Sequence, residues 1–205
     1  MHDRDVEKML SERDALLVRD YDSALDLAGF PIADTVLDVA TGSGRMLSRL
    51  LNRGDLVVSC DIDEDALDRT RGRLGDLADK PILVVMDAHQ MQFDDDSFHA
   101  VTFANAIHEM DDPRGALDEI RRVLAPDGKL LVVELNSEGF RLMELHHRTQ
   151  GWGEHPKGEM STEQIDSHLR SSFERVETRE LTITHAWAAS GKSRGETHEP
   201  FRHYR

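Results

Sequence analysis

Short, mainly apolar runs recur along the chain at Thr35 to Ala40, Leu56 to Asp61, Ile82 to Met86, Ala100 to Ala104 and Lys129 to Glu134. Runs of this kind predict strands buried on both faces of a parallel sheet. Between them, Arg45 to Asn52, Glu64 to Leu77 and Pro113 to Val123 place apolar residues at helical spacing, and a helical region from Val6 to Leu27 precedes the first strand. The alternation predicts βαβ units. Pro126-Asp127-Gly128 is expected to form the turn that ends the helix before it. Further on, Phe173 to Glu180 and Thr182 to Ala188 predict a strand pair, and the polar stretch from Ser190 to Arg205 is expected to lie loose or to dock on a partner.

The first strand carries the most informative segment, Val36-Leu-Asp-Val-Ala-Thr-Gly-Ser-Gly-Arg-Met46. Gly42 and Gly44 let a turn approach a ligand with no Cβ in the way, which predicts a nucleotide-cofactor loop. Two glycines so spaced begin the dinucleotide fingerprint G-x-G-x-x-G, but Leu47 stands at its third glycine. A pyrophosphate therefore fits poorly, and the Asp38 carboxylate would repel a diphosphate lying close to it. An acidic residue here suits a cationic ligand. S-adenosylmethionine, with its sulfonium and α-ammonium, is such a ligand.

Carboxylates also follow the next two strands. Asp61 could accept both hydroxyls of a ribose, as the acidic residue after the second strand of dinucleotide folds does, and Asp87 could accept a hydrogen bond from an adenine amino group. The local alternative is helix capping, in which Asp61 or Asp63 merely starts the helix at Glu64.

Four segments together resemble the class I S-adenosylmethionine-dependent methyltransferases, most closely the branch that includes the quinone-biosynthesis C-methyltransferases. They are Val36 to Gly44, Cys60 to Leu67, Asp87 to Phe98 and Ala116 to Glu134, in family order. The resemblance implies an α/β fold, a Rossmann-like three-layer sandwich with a seven-stranded, mostly parallel sheet and one antiparallel strand. It also implies S-adenosyl-L-methionine as cofactor, with Asp38, Ala40, Gly42 and Gly44 around its methionine part. Asp61 and Ile62 would then meet the ribose side, Asp87 and Ala88 the adenine, and Asn105 the sulfonium end. Ala40 stands where the family usually has its first glycine. Asn105-Ala-Ile-His-Glu-Met110 replaces the Asn-Pro-Pro-Tyr type sequence of nucleobase and glutamine methyltransferases. Little lies between the fifth strand and the C-terminal part, where many relatives carry a longer substrate-binding lid.

Methyl transfer from a sulfonium is an in-line displacement that depends on alignment and exclusion of water. A base is needed only when the acceptor must lose a proton. His108 and Glu109, just after the fourth strand, are candidates for chemical roles, as is His147. The stretch Glu144-Leu-His-His-Arg-Thr-Gln-Gly-Trp-Gly-Glu-His155 falls in an expected substrate-side lid over residues 136–165. His146, His147, Trp152 and His155 are its candidate substrate contacts, joined by Tyr21 from the N-terminal region, residues 1–30. If residues 140–149 are helical, Glu144 and His147 share a face. With His155 they could hold a divalent ion, but the spacing matches no established ligand signature, and no metal is assigned.

Length and charge narrow the partners. A chain of 205 residues suits one domain. No apolar run approaches the ~20 residues that span a bilayer, and the N-terminal stretch lacks the apolar core of a signal peptide, so a cytoplasmic protein without membrane attachment is expected. Cys60, the lone cysteine, agrees with that compartment. A net charge of −15 disfavours nucleic acid as a partner. The expected reaction is methyl transfer to a small-molecule acceptor with release of S-adenosylhomocysteine. The alternative is a non-catalytic S-adenosylmethionine-binding regulatory or interaction protein. An apolar surface on the N-terminal helices leaves room for a homodimer.

Overall fold

The structure, a computed structural model, describes residues 3–30, 35–54 and 56–193. Its sheet has the strand order β3-β2-β1-β4-β5-β7-β6. The strands are β1 (Thr35–Val39), β2 (Leu56–Asp61), β3 (Ile82–Val85), β4 (Phe98–Ala104), β5 (Leu124–Leu135), β6 (Phe173–Glu180) and β7 (Thr184–Lys192). β1 to β5 pair in parallel, whereas β7 runs antiparallel to both β5 and β6. The expected seven-stranded sheet with one antiparallel member is therefore present. Its direction of winding reverses between β1 and β4, so the loops leaving those strands diverge and open a crevice at their C-terminal ends.

Burial on both sheet faces explains why the strands lack polar alternation. Along β5, Leu130 and Val132 point into one core with Leu117 and Ile120 of α4 (Pro113–Val123) and Leu169 of α6 (Thr162–Ser172). Leu131 and Val133 point into the other, with Leu17 and Leu25 of α1 (Asp3–Ala28), Leu47 and Leu50 of α2 (Arg45–Arg53) and Leu142 of α5 (Ser137–Gln150). Each buried leucine contributes about 1.5–3 kcal/mol. The period-two alternation thus exists in space, but both sides are apolar. α3 (Glu64–Leu74) begins at Asp63, whose side chain accepts from the Asp65 N–H, and a 3₁₀ turn at Gly75–Leu77 ends the region expected as one helix.

Several elements differ from the sequence expectations. Pro126-Asp127-Gly128 does not separate helix from strand: β5 starts at Leu124, directly after α4, and the residues up to Gly128 bulge out between the pairs Phe98–Leu124 and Ala100–Lys129. The segment after β5 is far from empty, because α5, an extended stretch and α6 fill it. α6 starts with a capping box in which Ser161 and Gln164 satisfy each other's backbone N–H groups. The last strand continues to Lys192, so residues 190–192 belong to the sheet rather than to a loose tail; residues 194–205 lie outside the described residues.

The N-terminal region is a single helix, and its apolar side is used within the chain. Leu17, Tyr21, Ala24, Leu25 and Ala28 are buried against the sheet and α2. Asp20 fixes this helix in place. Its buried carboxylate accepts from the backbone N–H of Thr182, Ile183 and Thr184 and from the Thr184 hydroxyl, at 2.8–3.1 Å. No helix among the described residues is long and apolar enough to cross a membrane.

Candidate functional site

A cavity of about 710 Å³ occupies the crevice at the strand ends. Its floor is the loop after β1. Ala40 and Gly42 both have positive φ, 59° and 51°, and Ala40 bears a side chain in this left-handed region, a local strain. The Gly42 N–H donates to Asp61 Oδ2 at 2.7 Å, while Asp61 Oδ1 accepts from the Asp63 N–H at 3.0 Å. Asp61 thus shapes the loop as well as facing the cavity, and an ionised carboxylate retains further lone pairs for a ligand.

Asp38 is not a cavity residue. It lies beneath the loop, buried, where Oδ2 accepts from the Ser59 hydroxyl at 2.7 Å and Oδ1 from the Thr102 hydroxyl at 2.8 Å. Sheet register explains this: Asp38 stands beside Ser59 on β2 and beside Thr102 on β4. The Thr41 hydroxyl, 2.7 Å from Ser59 Oγ, extends the chain up to the loop. Burial pushes the Asp38 carboxyl up to about 6, against the opposing pull of the two hydroxyls. Gly44 is likewise displaced from the role expected of it. It has φ 72°, and a Cβ there would fall 2.4 Å from Thr70 Cγ2, so its bare Cα serves the packing of α3 rather than a ligand.

The two ends of the cavity differ chemically. At one end, Asp61, Ile62, Asp87 and Ala88 line the wall. Asp87 Oδ1 accepts from the backbone N–H of His89 at 2.9 Å and meets its ring Nδ1 at 2.7 Å, which holds the carboxyl below its ordinary value. His89, missed in the sequence, also lines the cavity, and its Nε2 lies 2.9 Å from the Asp112 carbonyl. Near the middle, Asn105 has φ 51° and donates from Nδ2 to the Tyr21 hydroxyl at 2.8 Å. Burial pushes the Tyr21 phenol up, so it stays protonated. Asn105 Oδ1 is buried with no partner among the described residues. An orphaned acceptor beside a cavity calls for a donor from a ligand.

At the other end, a 3₁₀ turn at Ile107–Glu109 presents His108 and Glu109. The His108 ring is buried, and Nδ1 lies 2.7 Å from Oε1 of Glu134, a buried carboxylate at the end of β5. Burial pulls this imidazole down, but the Glu134 hydrogen bond and charge outweigh it and leave the group above its ordinary value. His155 packs against His108, with ring centroids 4.9 Å apart. Burial, together with the neighbouring His108 and His147, lowers His155 to about 4.

The candidate substrate contacts in the segment expected to form a lid do not reach the cavity wall. His146, His147, Trp152 and His155 lie behind it, with the exposed Trp152 edge-on to His146 and His147 at centroid distances of 5.3 and 5.4 Å. Glu144 pairs with Arg148 at 3.0 Å and accepts from the His155 backbone N–H at 3.3 Å, rather than meeting an imidazole ring. Unforeseen cavity residues include Leu17, Arg45 and four methionines, Met46, Met86, Met110 and Met143. Scattered single methionines give no sequence signal for a shared wall.

Comparison with known proteins agrees with this architecture. Residues 37–132 match the model of a methyltransferase domain. Over 109 residues the chain is 39% identical to the demethylmenaquinone methyltransferase of Clavibacter sepedonicus, covering 52% of this chain and 44% of that protein. Over 105 residues it is 40% identical to the ubiquinone/menaquinone biosynthesis C-methyltransferase UbiE of Paracoccus denitrificans, covering 49% of this chain and 42% of that one. The chain therefore aligns with less than half the length of either relative. A SAM-dependent methyltransferase structure from Aquifex aeolicus shares the fold, with a TM-score of 0.67 and 20% identity over 91% of this chain and 98% of that chain.

Proposed function

We propose that the chain is a class I S-adenosylmethionine-dependent methyltransferase that transfers a methyl group to a small-molecule acceptor and releases S-adenosylhomocysteine, a reading supported by the domain match and the methyltransferase relatives. When bound, S-adenosylmethionine supplies an electrophilic methyl on a sulfonium. The observation that carries the reading is the single cavity that joins the carboxylates after β2 and β3 to the polar turn after β4.

The residues present fit that cofactor. Asp61 has lone pairs left for ribose hydroxyls beyond those used by Gly42 and Asp63. The Oδ2 atom of Asp87 is open to an adenine amino group, since His89 takes only Oδ1. The orphaned Asn105 Oδ1 can accept from an ammonium, and the Tyr21 hydroxyl, already accepting from Asn105, still has its proton to donate. The acceptor would then enter beside His108 and Glu109. Four flexible thioether side chains in the wall suit an apolar, flat acceptor, and we place a quinone-like ring first among candidates. We assign the reaction to the cytoplasm, in keeping with the free, buried thiol of Cys60.

The test is calorimetric titration with S-adenosylmethionine and S-adenosylhomocysteine of the natural chain and of Asp61→Ala. Loss of charge-assisted hydrogen bonds to the ribose should weaken binding by about 1.5–3 kcal/mol. Binding of neither ligand by the natural chain would sink the reading, and unchanged affinity in Asp61→Ala would remove Asp61 from it.

A further inference from the structure

Two buried ring nitrogens at the acceptor end have no partner among the described residues, Nε2 of His108 and Nε2 of His155. What each ring does on its other side sets its tautomer. Glu134, as a carboxylate, only accepts, so the neutral His108 ring carries its proton at Nδ1. His147 Nδ1 lies 3.1 Å from the Gly153 carbonyl, which also only accepts, so His147 donates there and keeps Nε2 as an acceptor. His155 Nδ1, 3.1 Å from that Nε2, must then be the donor. In the neutral rings, both unpartnered Nε2 atoms are left presenting lone pairs.

They present them to the same small space. Glu109 adds a carboxylate at its rim, 3.7 Å from His108 Nε2, and His108, Glu109 and His155 each bring one ligand atom within 4.8 Å of the others. The alignment of the lid over the turn is close: a Cβ on Gly158 would come within 2.5 Å of His108 Cα, so only glycine lets this strand of the lid settle there. Two lone pairs and a carboxylate with no facing donor favour a cation. Imidazoles whose distal N–H groups are held by a carboxylate or another acceptor are also the usual arrangement behind a metal ligand.

The geometry points to a divalent transition-metal site of the zinc class, held by His108 Nε2, His155 Nε2 and the Glu109 carboxylate, with one position open towards the cavity. Glu144 and His147, the other residues of the trio weighed from sequence, are not ligands here: one is paired with Arg148 and the other supports His155. In tetrahedral coordination, bonds of about 2.0–2.2 Å put two ligand atoms roughly 3.4 Å apart, so the widest separation in the trio must close by up to about 1.4 Å. The exposed Glu109 side chain can supply part of that movement, and tilts of the two imidazole rings the rest. Resting on the methyl-transfer reading, the open position would receive an oxygen donor of the acceptor, which a quinol or phenol would supply.

The test uses the full chain, freed of metal by a chelator and dialysed, titrated with Zn²⁺ by calorimetry and with Co²⁺ by visible absorption. One ion per chain is expected, with Co²⁺ bands of low-coordinate nitrogen and oxygen ligation. His155→Ala should abolish binding, Glu109→Gln should weaken it at least about tenfold, and His99→Ala, at an exposed site far along β4, should leave it unchanged. No binding by the natural chain, or undiminished binding in both His155→Ala and Glu109→Gln, would overturn the site. Should His155→Ala fail to fold by circular dichroism, the rim variant Glu109→Gln decides alone. S-adenosylmethionine affinity measured on the same samples separates the two readings: ion binding without cofactor binding keeps the metal site and discards methyl transfer, and the converse discards only the metal site.

Discussion

Replacing Asp38 with Asn should flatten a specific part of the stability–pH curve. The carboxyl is fully enclosed and shifted from 3.8 to about 6, with burial as the leading cause. Between those values the folded chain holds a proton at Asp38 that the unfolded chain has released. Stability therefore falls as pH rises through this window, and the contribution is unfavourable above it. A shift of about 2 units corresponds to about 3 kcal/mol at full extent, of which about 2 kcal/mol would be lost between pH 4.5 and 8. Asn has the same shape. Its Oδ1 can accept from one hydroxyl, and its NH₂ can donate to the other, because Ser59 and Thr102 hydroxyls rotate to either role. Urea unfolding of both proteins at a series of pH values gives the difference directly, and the titration of all other carboxylates cancels to first order. The variant should match the natural chain near pH 4.5 to within about 1 kcal/mol and exceed it by about 3 kcal/mol at pH 8. A difference independent of pH would show that the carboxyl is not held as described.

Two further substitutions test the frame around the cavity. Asp20→Ala strands three backbone N–H groups at the start of β7 and should cost at least about 3 kcal/mol in chemical unfolding; a loss below about 1 kcal/mol would mean that water replaces the carboxylate. Gly44→Ala forces a side chain into φ 72° and onto the buried Thr70, so a loss of about 2 kcal/mol or more is expected, with weakened cofactor affinity because Thr70 Oγ1 donates to the Gly42 carbonyl at 2.9 Å. An unchanged melting temperature would show that Thr70 yields without consequence.

The features legible in the sequence are those whose signal is local. Apolar runs mark β1 to β5, and Asp61 and Asp87 can be read because each closes such a run at the edge where open sheets bind ligands. Asp38 defeats the same reasoning. Its environment is fixed by Ser59 and Thr102, brought alongside by strand register from 21 and 64 residues away. Asp20 and Glu134 are hidden for the same reason, since their partners come from other elements. The histidine cluster shows how spacing misleads when the chain turns: His108, on the turn after β4, meets His155 from the segment between α5 and α6, whose path no periodicity gives. α6 was recoverable, because Ser161-Thr-Glu-Gln164 is a capping-box sequence.

The anchoring of α1 by Asp20 has a consequence for synthesis. The hydrogen-bond partners of Asp20 lie up to 164 residues further along the chain. At about 5–20 residues per second, a ribosome needs roughly 10–30 s to deliver them, during which the helix carries an uncompensated carboxylate on the side that must later be buried. Closure of the N-terminal wall of the cavity is thereby deferred until the C-terminal hairpin emerges, and a nascent chain halted before residue 182 should bind holdase chaperones through the unpaired edge of β5 and the part of α1 that β7 later covers.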